Sequence, residues 1–202
     1  FRYVHTEKST HRVIFPRYHQ WDAVRRLEAD CIVKGAGGNY LVQHSTGSGK
    51  SNTIAWLCHR LQSLHRDDDT KVFDKVIVIT DRIVLDEQLQ ETIYQFEHAH
   101  GLVQRIDRDS KQLAEALTGR TARIIITTLQ KFPFILDKVS ELGDRSYAIV
   151  ADEAHSSQSG ESAKALRIAL GYEDKNDDED DDVSDPIEAA LVAAATARGR
   201  QP

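Results

Sequence analysis

Three stretches of this chain are apolar almost without interruption: KVIVIT at 75–80, RIIITT at 123–128 and YAIVA at 147–151. Runs this short, rich in β-branched residues and lacking polar alternation, predict strands covered on both faces. Around them, apolar positions recur at helical spacing. Residues 23–33 form one such segment, ended by the glycine-rich stretch 35–38, and 50–65, 83–98 and 110–117 form three more. Two shorter apolar runs, Tyr40–Val42 and Leu102–Ile106, predict further strands. Doubly covered strands separated by helices imply an α/β fold, a mostly parallel sheet flanked by helices on both faces. The Ala-rich stretch from Pro186 to Ala197 predicts one more helix, with Asp185 near its N-cap. No internal repeat is visible.

Composition changes this picture in few places. The chain has 202 residues, 40% of them hydrophobic, enough for one sizeable core. Its net charge is −6, which argues against a nucleic-acid partner until the distribution is considered. Residues 173–185 alone carry −8, leaving +2 over the rest, and a local basic surface is all that nucleic-acid binding requires. The acidic run reads as a solvated, mobile loop. No apolar run approaches the roughly 20 residues needed to span a bilayer, so no membrane partner is expected. Cys31 and Cys58 lack metal-ligand spacing and read as buried thiols of a reducing, cytoplasmic protein. His98 and His100 lack a third ligand nearby. There is no methionine, so the sequence reads as a piece of a longer chain. We divide it into a lead-in (1–11), a main domain (12–170), the acidic loop (171–185) and an Ala-rich helix (186–202).

The first candidate chemistry lies between the run 40–42 and the helix beginning at 50. Residues 44–51 read His-Ser-Thr-Gly-Ser-Gly-Lys-Ser. The phosphate-binding pattern is G-x-x-x-x-G-K-[ST], and Gly49, Lys50 and Ser51 fit it, with His44 where the first glycine is usual. Gly47 and Gly49 allow the backbone to turn so that the N–H groups of Thr46 through Ser51 point at phosphate oxygens. The positive end of the following helix adds to this. Lys50 is then expected to bridge the β- and γ-phosphates of ATP, and the Ser51 hydroxyl to ligate Mg²⁺.

The second candidate follows the strand 147–151. That strand runs into Asp152-Glu153-Ala154-His155. Two carboxylates at the end of a buried strand need a compensating cation, and Mg²⁺ at the carboxyl edge of the sheet supplies it. Asp152 is expected to hold the metal and Glu153 to orient and deprotonate the attacking water. His155 is expected to relay the nucleotide state.

Together these residues resemble superfamily 2 helicases and translocases, and among them the motor subunit of type I restriction-modification enzymes. Four stretches between about 12 and 160 carry the resemblance: Arg17-Tyr18-His19-Gln20, the loop His44–Ser51, Thr80-Asp81-Arg82 with Leu85 and Gln88, and DEAHSSQ from Asp152 to Gln158. The resemblance implies a RecA-like P-loop NTPase domain, the first of two in a motor that moves along double-stranded DNA. It implies that Gln20 reads the adenine edge and that Arg82, Thr128 and Gln130 touch the DNA backbone. It implies as partners a second RecA-like domain of the same parent chain and the modification and specificity subunits of a restriction complex. An arginine finger and an acid–acid–Lys nuclease cluster are not found in the sequence, so cleavage is expected elsewhere. A nucleotide-binding regulatory module and a superfamily 2 RNA helicase domain stand as the alternatives.

Overall fold

The computed structural model describes residues 2–5, 11–80, 87–96, 101–132 and 145–152. Its elements run β1 (Arg2–His5), β2 (His11–Ile14), α1 (Tyr18–Lys34), α2 (Lys50–Gln62), β3 (Lys75–Thr80), α3 (Glu87–Tyr94), β4 (Val103–Arg105), α4 (Ser110–Thr118), β5 (Ile124–Thr128) and β6 (Tyr147–Ala151). The acidic run, the Ala-rich helix, the histidines at 98 and 100 and the boundary expected near 170 lie outside the described residues.

Four strands form one parallel sheet in the order β4-β5-β3-β6. Alternation along the central strand β3 sends its side chains to two separate cores. Val76 and Val78, with Ile124, Ile126 and Ala148, pack against Val24, Cys31, Ala55, Cys58, Leu61, Leu89 and Ile93 from α1, α2 and α3. Ile77 and Ile79, with Ile125 and Tyr147, pack against Leu113, Ala114, Ala116 and Leu117 of α4 and against Leu129 and Phe132. Helices therefore cover both faces, as the uninterrupted apolar strands require. Both cysteines are buried free thiols. Among the described residues, no helix is long and apolar enough to cross a membrane.

The chain's return from α2 to β3 sets the direction of α2. The Val72 N–H donates to the Leu64 carbonyl at 3.0 Å, which brings the end of α2 beside the start of β3. A 13-residue helix and a 6-residue strand both span about 20 Å. Since α2 packs along β3, β5 and β6, its N-terminus lies at the carboxyl edge of the sheet.

The opposite, amino edge is closed by polar bonds. Lys75 is 2% exposed, and its Nζ donates to the Ala122 carbonyl at 2.5 Å. Asp74 Oδ2 accepts from the Ser146 N–H at 2.6 Å. Arg145 donates to the carbonyls of Leu117, Thr118 and Gly119, the last turn and cap of α4, where a cation also meets the negative end of the helix.

Two features differ from the sequence reading. Tyr40–Val42, expected as a strand leading into the phosphate loop, joins no sheet, and Leu41 is 84% exposed. A strand exists only where its backbone finds a partner. Here β6 ends the sheet with no outer neighbour among the described residues, and the Tyr40 hydroxyl is drawn instead to Asp30 Oδ2 at 2.6 Å. Conversely, where the sequence reading assigned no element, β1 and β2 pair antiparallel, Arg2 opposite Ile14 and His5 opposite His11.

Candidate functional site

The loop 44–51 reaches α2 through two glycines in the left-handed region, Gly47 at φ 74° and Gly49 at φ 88°. Gly49 is the N-cap of α2, so the positive, N-terminal end of the helix opens toward the loop. Behind the loop stands the start of α1. Gln20, 3% exposed, donates from Nε2 to the carbonyls of Ser48 at 3.1 Å and Gly49 at 2.9 Å. Its Oε1 accepts from the Arg17 N–H at 2.8 Å, the third-residue bond that closes the N-terminus of α1. His19 Nε2 lies 3.3 Å from the same Ser48 carbonyl, so that nitrogen is the protonated one.

These bonds orient the loop. In a trans peptide the C=O and the next N–H point in opposite directions. Pulling the carbonyls of Ser48 and Gly49 toward α1 therefore turns the N–H groups of Gly49 and Lys50 away from it, toward the phosphate side. A Cβ built on Gly47 meets nothing within 4 Å, so the loop is open beside that residue, and Ser48 Oγ is buried with no hydrogen-bond partner among the described residues. His44 takes the place of the first glycine without strain, since its φ is not positive. Its ring packs edge-on to His19 with centroids 5.2 Å apart. Burial, the neighbouring His19 and Lys50 all push the His44 imidazole below its ordinary value, favouring its neutral form.

The acidic motif reaches the same sheet edge. The Asp152 N–H donates to the Ile79 carbonyl at 2.9 Å, extending the β6–β3 ladder by one residue and fixing where the carboxylate leaves the sheet. The Ser51 hydroxyl and the Asp152 carboxylate are hard oxygen donors of the kind Mg²⁺ takes. Glu153, His155 and Arg82 lie outside the described residues. Thr80 and Thr128 are register partners at the ends of β3 and β5. Thr128, expected to touch DNA, is only 5% exposed. Its strand passes directly into the 129–132 turn, where Leu129 and Phe132 are buried, and it is Gln130 that is exposed. The sequence reading missed the part His19 plays in holding Ser48. Its position next to Gln20 was the available signal.

A parallel sheet with helices on both faces, a glycine loop opening onto a helix N-terminus and an acidic strand end at the same edge define a RecA-like P-loop NTPase domain, an ATP-binding hydrolase fold. The chain belongs to the SWI2/SNF2 ATPase family, whose model matches residues 19–173. It is also homologous to endonuclease subunits of type I restriction enzymes. The Staphylococcus aureus (strain MSSA476) type I restriction enzyme SauMSSORF170P endonuclease subunit is 33% identical over 135 residues, 65% of this chain and 14% of that protein. The Staphylococcus saprophyticus SsaAORF53P endonuclease subunit is 29% identical over 170 residues, 82% of this chain and 17% of that protein. The chain thus spans less than a fifth of the length of these relatives. The UvsW helicase of bacteriophage T4 superposes with a TM-score of 0.49 at 16% identity, over 89% of this chain and 50% of its own.

Proposed function

We propose that this chain is the first motor domain of an ATP-driven double-stranded DNA translocase, within the endonuclease subunit of a type I restriction enzyme. The observation that carries the reading is the convergence at one sheet edge of a phosphate loop held from behind by Gln20 and an acidic residue, Asp152, fixed by the sheet ladder.

In this reading the loop from Thr46 to Ser51 cradles the phosphates of ATP with its N–H groups other than that of Ser48, which donates to the Ser45 carbonyl at 3.2 Å, and Lys50 pairs with the β- and γ-phosphates. Ser51 and Asp152 hold Mg²⁺, which when bound neutralises charge on the phosphates. Glu153 orients the attacking water and takes its proton. Gln20 serves the base as well as the loop. Both Nε2 hydrogens are spent on the loop, so what remains for adenine is the second lone pair of Oε1, which can accept from the amino group of the base. His155 relays the nucleotide state to the DNA side. Arg82 and Gln130 touch the DNA backbone. A second RecA-like domain supplies the rest of the ATP site, and modification and specificity subunits supply target choice.

The test is ATP hydrolysis by the intact protein with duplex DNA, RNA or no nucleic acid added. Stimulation by duplex DNA supports the motor. Stimulation by RNA alone points to an RNA helicase. Tight ATP binding with no stimulation by either points to a regulatory nucleotide switch.

A further inference from the structure

The short loop that follows β4 is fixed more firmly than its exposure suggests. Ile106 is fully buried, and its N–H donates to the Ile126 carbonyl at 2.9 Å. Gln112 of α4 then holds the loop from three sides. Its Nε2 donates to the Arg105 carbonyl at 3.0 Å, and its Oε1 accepts from the N–H groups of Asp107 at 3.2 Å and Arg108 at 3.1 Å. Asp109 caps the helix by accepting from the Gln112 N–H at 2.9 Å. From the neighbouring strand end, Lys131 Nζ donates to the Ile106 carbonyl at 2.8 Å.

This rigid backbone displays Arg105 and Arg108, both exposed and neither in a salt bridge among the described residues. Lys111 is exposed on the first turn of α4, and Lys131 adds its charge at the base of the loop. Among the described residues, the carboxylates nearby are Asp107, flanked by the two arginines, and Asp109, already used as the cap. Glu115 lies one turn further along α4. The patch is thus net positive in a chain that is net negative. The parallel register, Arg105 opposite Ile126, places it at the carboxyl edge of the sheet, one strand out from Thr128 and Gln130.

Unpaired guanidinium groups on a preordered backbone lose little freedom on meeting an anion, and they match phosphate geometry. We propose that the 105–108 loop is a phosphate grip. Arg105 and Arg108, backed by Lys131, contact the sugar–phosphate backbone of duplex DNA and extend the track outward from the Gln130 turn. The inference rests on the DNA-motor reading above. Such contacts position DNA without reading its sequence.

The experiment is duplex DNA binding by the intact protein over a series of salt concentrations, with two unrelated sequences as probes. Each phosphate contact contributes a slope of about 0.9 in log affinity against log salt. The double variant Arg105→Ala/Arg108→Ala is expected to lower the slope by about 2 and to weaken both probes equally. Arg105→Lys/Arg108→Lys is expected to restore most of the slope, and melting temperatures check that both variants fold. DNA binding with an unchanged slope in the folded Ala variant overturns the grip and leaves the motor reading standing. No DNA binding by the wild-type protein overturns both.

Discussion

Gln20 and Gly49 fit one another so closely that neither position tolerates much change. The Gln20 Nε2 donates to the Gly49 carbonyl at 2.9 Å, and a Cβ on Gly49 falls 2.6 Å from that same nitrogen. Gly49→Ala therefore combines a left-handed backbone with a collision against a side chain held by three hydrogen bonds. At Gly47 the backbone is equally left-handed but a Cβ has open space. Gly47→Ala is expected to destabilise by about 1–2 kcal/mol, the ordinary left-handed penalty. Gly49→Ala is expected to destabilise more and to lose ATP binding as well. Thermal melting with and without nucleotide checks the ranking.

Gln20→Ala removes the bonds that turn two peptides of the phosphate loop. It also leaves the Arg17 N–H without its partner. The expected result is a loss of about 1–3 kcal/mol in stability, together with roughly tenfold weaker nucleotide binding. Titration with ATP and GTP separates the observed positioning of the loop by Gln20 from its proposed reading of the base. If positioning the loop dominates, both nucleotides weaken alike. If reading the base dominates, ATP alone weakens.

Lys50→Ala is expected to abolish ATP hydrolysis while the fold persists, because the change removes phosphate contacts and not core packing. Glu153→Gln is expected to keep nucleotide affinity and lose turnover, since an amide can orient water but cannot take its proton. Asp152→Asn is expected to raise the Mg²⁺ concentration required before it affects anything else. Hydrolysis rates measured across a magnesium series distinguish the three, and exchanged phenotypes between 152 and 153 reverse their assigned roles.

Burial, helped by the nearby Arg145 and Arg123, lowers the Lys75 ammonium to about 8. Between there and the ordinary lysine value the unfolded chain binds the extra proton and the folded chain does not. Stability from this group therefore rises with pH across that window. Burial of the thiols of Cys31 and Cys58 raises them, and burial raises the Tyr40 phenol, so these groups work in the opposite direction above about pH 9. The difference between wild type and Lys75→Met isolates the lysine. The variant is expected to gain relative stability at pH 7 and to lose that advantage as pH rises to 10, as followed by denaturant midpoints.

How much of this was legible in the sequence depended on whether a feature is local. β3, β5 and β6 were readable because double coverage leaves an uninterrupted apolar run, and α4 because Asp109, Leu113 and Leu117 mark its cap and its face. Tyr40–Val42 has the same apolar look, but strand formation depends on a neighbouring strand that a run of letters does not reveal. Lys75 heads the run KVIVIT, and nothing in the letters marks its side chain as buried. Its burial depends on the Ala122 carbonyl, 47 residues away. The phosphate loop was legible because glycine conformation and helix polarity are set within eight residues. The part Gln20 and His19 play behind it spans nearly thirty, and a motif read alone gives no measure of such a distance.

The sheet has two ends of different character. At its amino end Lys75, Asp74, Arg145 and Ser146 are engaged with the protein's own backbone. At its carboxyl end the buried hydroxyls of Ser48 and Thr80 have no hydrogen-bond partner among the described residues. One strand length, about 20 Å, lies between them, well beyond the range over which substitutions influence one another. Changes that strengthen the amino end should therefore add to stability independently of changes that tune the nucleotide site. A more heat-resistant form of this domain can be sought there with its ATP kinetics left as they are.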